Sequence, residues 1–434
     1  MLIALVLYVR RPMAYLSFAL WAWLLAPFVR RVVDYQLGWE EPNYVLLTPF
    51  LVSMVSALAI LRPSRRAPVQ LPPVAIFSMA AIAYGFVIGM VLHPSGEVIY
   101  GLVNWLAPLL FGLHFALHWR DYEAQKRWVA SNAVWAVAVL GVYGLYQYAF
   151  APAWDTYWLQ EITGGLIDPS FGTPEPFKIR LWSTLNSPGP FANVMAAMLL
   201  LLFVMPSRWK LPVSVAGYAS FLLSFVRTAW ISWMLGLLLL LRGARPRLIS
   251  RIVTSIFVVV ALTLPVLSNP EIAPALSERI QSLTRIGADE SFNERREMYR
   301  IVGNIVLHDP FGHGLRNQEI VNNLVVDSGF FVMLLSLGWL GLALYLLGIV
   351  TFVFRKNRAR NDDLACAAEA ICFAFLVQLV GGPVFSGVTG AIFWLCLGLT
   401  ISADRHQAAQ LAEPGPRVLD LPAPAWKRLQ QKRV

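Results

Sequence analysis

Long uninterrupted apolar runs are the feature that most restricts how this chain folds. A helix that spans a bilayer needs about 20 apolar residues, whereas the strands of a membrane β-barrel alternate apolar and polar positions. The runs therefore predict an all-α polytopic membrane protein with about twelve transmembrane helices. The predicted spans are 13–29, 44–61, 73–92, 98–118, 128–150, 190–205, 211–226, 229–241, 248–267, 328–354, 364–380 and 386–402.

Composition excludes the other broad classes of protein. Only 14% of the 434 residues are charged and 57% are hydrophobic, whereas soluble domains are about 25% charged. The 16 Trp, 25 Phe and 14 Tyr residues are equally inconsistent with a disordered chain. Three cysteines, Cys366, Cys372 and Cys396, lie in apolar segments without metal-ligand spacing or a disulfide framework. We expect them to be small packing residues.

The distribution of Lys and Arg predicts the orientation in the membrane. Of the 35 basic residues, 24 fall in one alternate set of loops and 11 in the other, and the basic side of a membrane protein is cytoplasmic. Both termini are therefore predicted to be cytoplasmic. The net charge of +10 is then explained by topology, and no nucleic acid partner is expected. Residues 1–402 form a single transmembrane domain in this prediction, and 403–434 form a basic, disordered tail.

Two outer loops, at about 151–189 and 268–327, are long, and long loops in compact proteins tend to be functional. Outside these two loops, Arg227 is the most informative basic residue. It lies between two short apolar stretches that both have cytoplasmic flanks. The chain must therefore turn near Arg227, at a depth where a charge is costly and should face a water-filled or anion-filled recess. The alternative is that Arg227 reaches the outer headgroups or pairs with a structural acid.

The second long loop contains a candidate anion site. The capping box 291–294 predicts the start of a helix, with Arg295 and Arg296 in its first turn and Arg300 one turn later. A positive helix end favours anions, so these arginines are candidate anion ligands. The alternative is an amphipathic surface helix with a solvated basic edge.

The helix is followed by polar groups suited to chemistry. The tight turn 308–315 carries His313, which is either a base, a sugar ligand or simply an exposed histidine. Asp327 precedes the span 328–354, where an acid caps a helix, acts as a base, or does both. The first long loop ends with Arg180 and Asn186 just before a span.

Four aromatic residues of that first loop have two interpretations. A membrane-interface belt and a stacking surface for sugars both fit them. They are Trp154, Tyr157, Trp158 and Trp182.

Four segments in order resemble the O-antigen ligase / O-antigen polymerase (Wzy-like) superfamily of bacterial membrane glycosyltransferases. Residues 180–192 are similar to its Arg-x-x-Gly/Ser-Thr-x-x-x-Pro segment, and 224–230 to its Ser-x-x-Arg segment. Residues 295–314 look like its large periplasmic loop, with an Arg-rich helix and a Gly-x-Gly turn. Residues 327–342 look like the start of its next span.

The resemblance implies a GT-C-type bundle in the bacterial inner membrane, with its active site facing the periplasm. Such proteins transfer glycans between undecaprenyl-pyrophosphate-linked oligosaccharides, donor and acceptor, without a metal or other cofactor. The implied pyrophosphate ligands are Arg180, Arg227, Arg295, Arg296 and Arg300, and the implied catalytic residues are Asp327 and His313.

The ligase branch has a histidine where this sequence has Asp327, and the segment 186–190 looks more like exopolysaccharide polymerases. A polysaccharide polymerase is therefore favoured over a ligase that transfers glycan to lipid A-core or another acceptor. A flippase or other transporter is a third alternative, although transporters place charges near the bilayer midplane. Expected partners are the two lipid-linked substrates, membrane lipid and other polysaccharide export proteins.

Overall fold

A computed structural model describes residues 1–41, 43–61, 70–166, 168, 170–205, 207–243, 246–267, 290–316, 320–321, 324–326 and 328–412. The part described is helical, apart from loops and one two-residue antiparallel pair, Ile320–Val321 with Leu324–Val325. The chain is an all-α polytopic membrane protein, as its apolar runs predict. Among the described residues, seven helices are long and apolar enough to cross a membrane.

The first half of the chain begins with a short apolar helix and continues into longer apolar helices. These are α1 (Leu2–Arg10), α2 (Pro12–Leu37), α3 (Thr48–Met54), α4 (Leu58–Leu61), α5 (Pro73–Leu92), α6 (Gly96–Leu117), α7 (Tyr122–Phe150) and α8 (Ala153–Thr163). Short 3₁₀ turns join α3 and α4 into one broken apolar segment, Tyr44–Leu61.

The second half contains the shorter helices and the last two long ones. These are α9 (Pro188–Val204), α10 (Lys210–Leu222), α11 (Arg227–Gly243), α12 (Pro246–Leu267), α13 (Glu290–His308), α14 (Gly329–Val353), α15 (Asp363–Gln378) and α16 (Gly387–Ala412). Each of the twelve predicted spans coincides with a helix or, for 44–61, with a broken one. The count of twelve membrane crossings stays a prediction.

Glycines allow the central helices to touch through their backbones. Gly112 of α6 lies against Trp394 of α16, and Gly398 of α16 lies against the Gly112 carbonyl, so a side chain at either position has no room. Small residues at such crossings are the usual means of helix association in membranes. The α6–α16 pair forms the centre of the bundle, and α16 is its most buried membrane helix.

Helix α16 continues past the predicted boundary at 402 and ends at Ala412, while the division into a membrane domain and a tail stays a prediction. Polar contacts hold this extension. Ser402 donates to Gln125 (2.8 Å), Asp404 pairs with Arg355 (2.8 Å), and Arg405 donates to the Ala116 and Gln70 carbonyls. Residues 403–412 are therefore helical, and the prediction for 413–434 lies outside the described residues.

Candidate active site

The segment that carries Arg180 and Asn186 is fixed by a buried ion pair between α2 and α8. Arg31 Nε lies 2.9 Å from Asp155 Oδ1, and both side chains are fully buried. The same guanidinium donates to the carbonyl oxygens of Ser183 (2.6 Å) and Leu185 (2.5 Å). A guanidinium that satisfies a carboxylate and two carbonyls at once is a rigid cross-link.

Two α7 side chains complete this buried network. The Tyr143 hydroxyl and Gln147 Nε2 donate to Asp155 Oδ2 at 2.8 and 2.7 Å, while Gln147 Oε1 accepts from the backbone amides of Trp182 and Ser183. Burial raises the pKa of Asp155, and the neighbouring Arg31 charge opposes that shift. The loop before α9 is thus fixed in place.

Arg180 reaches from this fixed segment to the turn between α10 and α11. Its Nε donates to the Ser224 carbonyl (3.3 Å) and its terminal nitrogen to the Phe225 carbonyl (3.1 Å). The Leu181 amide donates to the Leu223 carbonyl (3.3 Å) beside them. Two motifs that are far apart in sequence, one ending at Arg180 and one at Arg227, therefore meet at one turn.

The turn itself places Arg227 at the start of α11. Phe225 adopts a positive φ of 55°, which ends the helical path, and Ser224 Oγ donates to the Phe221 carbonyl (2.6 Å). Arg227 is the first residue of α11 and is partly buried. Amides at a helix start carry partial positive charge, so Arg227 adds its charge to an end that already favours anions.

The hairpin of α10 and α11 agrees with the turn predicted from the short apolar stretches. Trp230 Nε1 donates to the Phe221 carbonyl (3.4 Å), and the Tyr218 and Trp233 rings are 5.4 Å apart. The helices have 13 and 17 residues, so they extend only about 20 and 26 Å at 1.5 Å per residue. Both are shorter than a bilayer core of about 30 Å.

Contacts connect this turn to the start of α14. Gln378 Nε2 donates to Thr228 Oγ1 (3.0 Å), and Gly381 packs against the Thr228 side chain. The next glycine, Gly382, lies against Gly329, the first residue of α14. Asp327 precedes Gly329 by two positions but lies outside the described residues, so its predicted role stays a prediction.

The Arg-rich helix α13 packs on α14 by the apolar face that its sequence spacing predicts. Met298, Val302 and Val306 are buried, and the Tyr299 ring lies 5.2 Å from the Phe331 ring of α14. The helix begins at Glu290, just before the predicted capping box.

Two arginines of α13 lie away from its packed face. Arg296 and Arg300 are exposed, on the opposite side from the buried residues. The side chain of Arg295 lies outside the described residues.

His313 lies in a loop that enters the bundle between α5 and α14. Its amide donates to the Leu335 carbonyl (2.7 Å), and its Nε2 is 3.3 Å from Asp309 Oδ2. Leu335 is six residues into α14, about 9 Å along the helix from its start. These contacts connect His313 to α14, and its proposed catalytic role stays a prediction.

Both interpretations of the first-loop tryptophans are wrong for Trp158 and Trp182. These rings are buried and 5.9 Å apart, so they pack the interior instead of forming an interface belt or a sugar-stacking surface. Trp154 donates to the Tyr143 hydroxyl (2.7 Å), next to the buried ion pair. The cysteines agree with a packing role, since Cys372 and Cys396 are buried and Cys366 partly so.

Comparison with protein families found a match to one part of the chain. Residues 212–346 match the family model described as O-antigen ligase. The matched part contains Arg227, the whole of α13 and the start of α14, whereas Arg180 precedes it. The search of curated proteins gave no match.

Proposed function

We propose that this member of the O-antigen ligase / O-antigen polymerase superfamily polymerises undecaprenyl-pyrophosphate-linked repeat units on the periplasmic face of the inner membrane. A membrane glycan-transfer function follows from the family match. The observation that carries the proposed site is the convergence of Arg180 and Arg227, because Arg180 donates to the carbonyls of Ser224 and Phe225 immediately before Arg227.

Two guanidinium groups at one helix start suit a pyrophosphate. Arginine forms paired hydrogen bonds with phosphate oxygens, and the helix end adds its own partial positive charge. Negative charge grows on the departing pyrophosphate during transfer, so donors aimed at it stabilise the transition state more than the ground state. Arg295, Arg296 and Arg300 would add further positive charge from α13.

The reaction exchanges one C–O bond for another. The anomeric carbon of the growing glycan loses its bond to the pyrophosphate oxygen, and the bonding pair leaves with undecaprenyl pyrophosphate. A hydroxyl of the incoming repeat unit forms the new glycosidic bond, and its proton passes to a base. Asp327 is the proposed base, with His313 as the alternative, and no metal or cofactor is required in this scheme.

Transfer to a different acceptor is the second candidate, because the family model that matches residues 212–346 is described as O-antigen ligase. Incubating purified protein with one lipid-linked repeat unit separates the two activities. A ladder of products indicates a polymerase, and a product only after adding a second acceptor indicates a ligase. Unchanged lipid on the other side of a vesicle membrane would indicate a transporter and contradict both.

The role of Arg227 is tested in the same assay. Removing its charge should lower transfer by at least about 100-fold, which corresponds to about 2.7 kcal/mol of lost transition-state stabilisation. Arg208→Ala is a matched control, because Arg208 is exposed in the connection between α9 and α10. Full activity of a folded Arg227→Ala protein would refute the proposed pyrophosphate site.

A further inference from the structure

A cavity lies beside the segment that carries Arg180. It has a volume of about 230 Å³ and is bounded by parts of α2, α3, α6, α9 and α16. Its lining includes the aromatic residues Trp23, Phe50 and Tyr100 and the polar residues Asn104, Asn186, Ser386 and Thr389. Tyr100 and Asn104 are in the first turns of α6, and Ser386 and Thr389 flank the start of α16. The cavity is therefore on the side where these two helices begin, which is the predicted outer side.

One lining residue of this cavity has a buried acceptor atom whose hydrogen-bonding capacity is unsatisfied among the described residues. The carboxamide oxygen of Asn186 is buried and has no hydrogen-bond partner among the described residues. Leaving a buried acceptor unpaired is unfavourable, because it has lost its bond to water without gaining another. A ligand that donates a hydrogen bond at this point would recover that cost, whereas a purely hydrocarbon ligand would not.

The start of α16 offers backbone hydrogen-bond donors to the cavity. The first amides of a helix have no partner within the helix, and the first turn of α16, Gly387 to Thr389, lines the cavity. The Asn104 side-chain oxygen faces Gly387 at ordinary contact distance. Acceptors and donors around one cavity fit hydroxyl groups, since a hydroxyl both donates and accepts.

The other wall residues and the lack of charged side chains in the described lining restrict the class of ligand further. The rest of the wall is largely apolar, and the described lining residues include no Lys, Arg, Asp or Glu. It consists of four prolines, the rings of Trp23, Phe50 and Tyr100, and the aliphatic residues Ala26, Leu46, Leu185 and Val388. The indole nitrogen of Trp23 is already bonded to Ser53 Oγ (2.8 Å), so this residue offers mainly its ring. The cavity is smaller than the roughly 300–1,000 Å³ of drug-sized sites, so it suits a single neutral ring with hydroxyl groups.

The cavity also lies next to the proposed reaction site. Pro383 is part of its wall, the adjacent Gly382 touches Gly329 at the start of α14, and Gly381 touches Thr228. On the opposite edge, Asn186 follows Arg180 within the segment fixed by Arg31. A ring held here would be positioned relative to both the Arg180–Arg227 turn and the start of α14.

We propose that this cavity binds one neutral sugar ring of the acceptor glycan and so positions the acceptor for transfer. The inference rests on the proposed function, because it assigns to this cavity the acceptor of that reaction. It predicts that disturbing the cavity raises the KM for the acceptor with little change in kcat, whereas Arg227→Ala lowers kcat.

The test uses an acceptor that cannot also act as a donor. A repeat unit carried on a short alkyl glycoside lacks the pyrophosphate leaving group, so its KM can be measured at a fixed concentration of the lipid-linked donor. Asn186→Ala removes the unpaired acceptor atom, and Val388→Phe fills space in the cavity. Each should raise the acceptor KM about 10-fold, equal to 1.4 kcal/mol, and leave kcat within about twofold. Asn304→Ala, an exposed asparagine of α13, should change neither.

Binding of the free repeat-unit oligosaccharide, measured by saturation-transfer NMR on the full-length protein in detergent, separates the possible failures. Wild type and Arg227→Ala should bind it, and Asn186→Ala and Val388→Phe should bind it weakly. Unchanged KM and binding in both cavity variants, with unfolding temperatures near wild type, would overturn the proposal. The proposal would also be overturned if the cavity variants bound the lipid-linked substrate more weakly but the free oligosaccharide normally. The cavity would then bind the isoprenoid chain and not the sugar. If Arg227→Ala retains full turnover while the cavity variants still lose sugar binding, the proposed pyrophosphate site fails and the sugar site stands.

Discussion

At the scale of a single residue, two adjacent arginines of α2, Arg30 and Arg31, differ in where their ion-pair partners lie in the chain. Arg30 is buried, but its partners are local: it pairs with Asp34 one turn later at 3.0 Å and lies near exposed Glu41. Arg31 is fully buried, pairs with Asp155 and holds two carbonyls of the segment before α9. Sequence reading assigned both to an outer loop. It could not separate them, because the partner that buries Arg31 lies in a distant helix.

Replacing Arg31 should therefore destabilise the protein. Arg31→Met leaves Asp155 buried without its cation, and breaking one side of a buried pair costs about 3–5 kcal/mol. Lys178→Met is the control and should cost little, because Lys178 and its partner Glu175 are both exposed. The double variant Arg31→Met/Asp155→Leu should recover part of the loss, because no unpaired charge remains. Unfolding in detergent measures these differences, and a single variant as stable as wild type would contradict the structural role.

Arg180 should matter for turnover through its geometry as well as its charge. Arg180→Lys keeps the charge but has no planar fork with which to donate to both the Ser224 and Phe225 carbonyls. Hydrogen bonds from charged groups contribute about 1.5–3 kcal/mol, so the lysine variant should lose roughly 10-fold or more in transfer rate and Arg180→Ala more again. Lys178→Ala on the same loop is the control, because Lys178 is exposed and pairs with Glu175. Equal rates for wild type and Arg180→Ala would exclude Arg180 from the site.

At the scale of elements, local patterns predict helices well and their packing poorly. The twelve apolar runs fall on helices because length and hydropathy are local properties. The apolar face of α13 follows from its spacing for the same reason. The meeting of Arg180 with a turn 45 residues later has no local signal, and neither does the burial of Trp158 and Trp182. The extension of α16 past 402 was missed because polar residues there are held by partners elsewhere in the chain.

The loop 309–316 provides a test of packing between elements. Gly338 interrupts α14 with a φ of 60°, and a Cβ there would overlap the Phe311 carbonyl of the loop. Gly338→Ala should destabilise the protein by roughly 2 kcal/mol, since a positive φ and a backbone clash both oppose the methyl group. Unfolding in detergent should show this loss, together with reduced transfer, because the loop carries His313.

Gly303→Ala is the control for that experiment. Gly303 lies within α13, and a Cβ there meets nothing within 4 Å. Alanine replaces glycine in a helix interior with a gain of about 0.5–1 kcal/mol. If both variants were destabilised alike, the effect would belong to glycine replacement in general, and the proposed insertion of the loop into the bundle would be wrong.

At the scale of the whole molecule, the asymmetry of basic residues makes a prediction about sidedness. The segments bearing Arg180, Arg227 and α13 all belong to the loops that hold 11 of the 35 basic residues, and these loops are predicted to be periplasmic. Substrates carried on the outer leaflet reach the proposed site only if that orientation holds. The orientation predicted from the charge pattern is therefore a requirement of the proposed reaction.

Cysteine labelling of cells tests this orientation directly. The native Cys372 and Cys396 are buried, and Cys366→Ser removes the partly buried third thiol, so single introduced cysteines give the signal. Leu307→Cys, exposed in α13, should react with a membrane-impermeant maleimide in cells whose outer membrane alone has been permeabilised. Arg120→Cys, exposed between α6 and α7, should react only after the inner membrane is opened. The reverse pattern would place α13 in the cytoplasm, away from substrates on the outer leaflet, and would remove the basis for transfer at the Arg180–Arg227 turn.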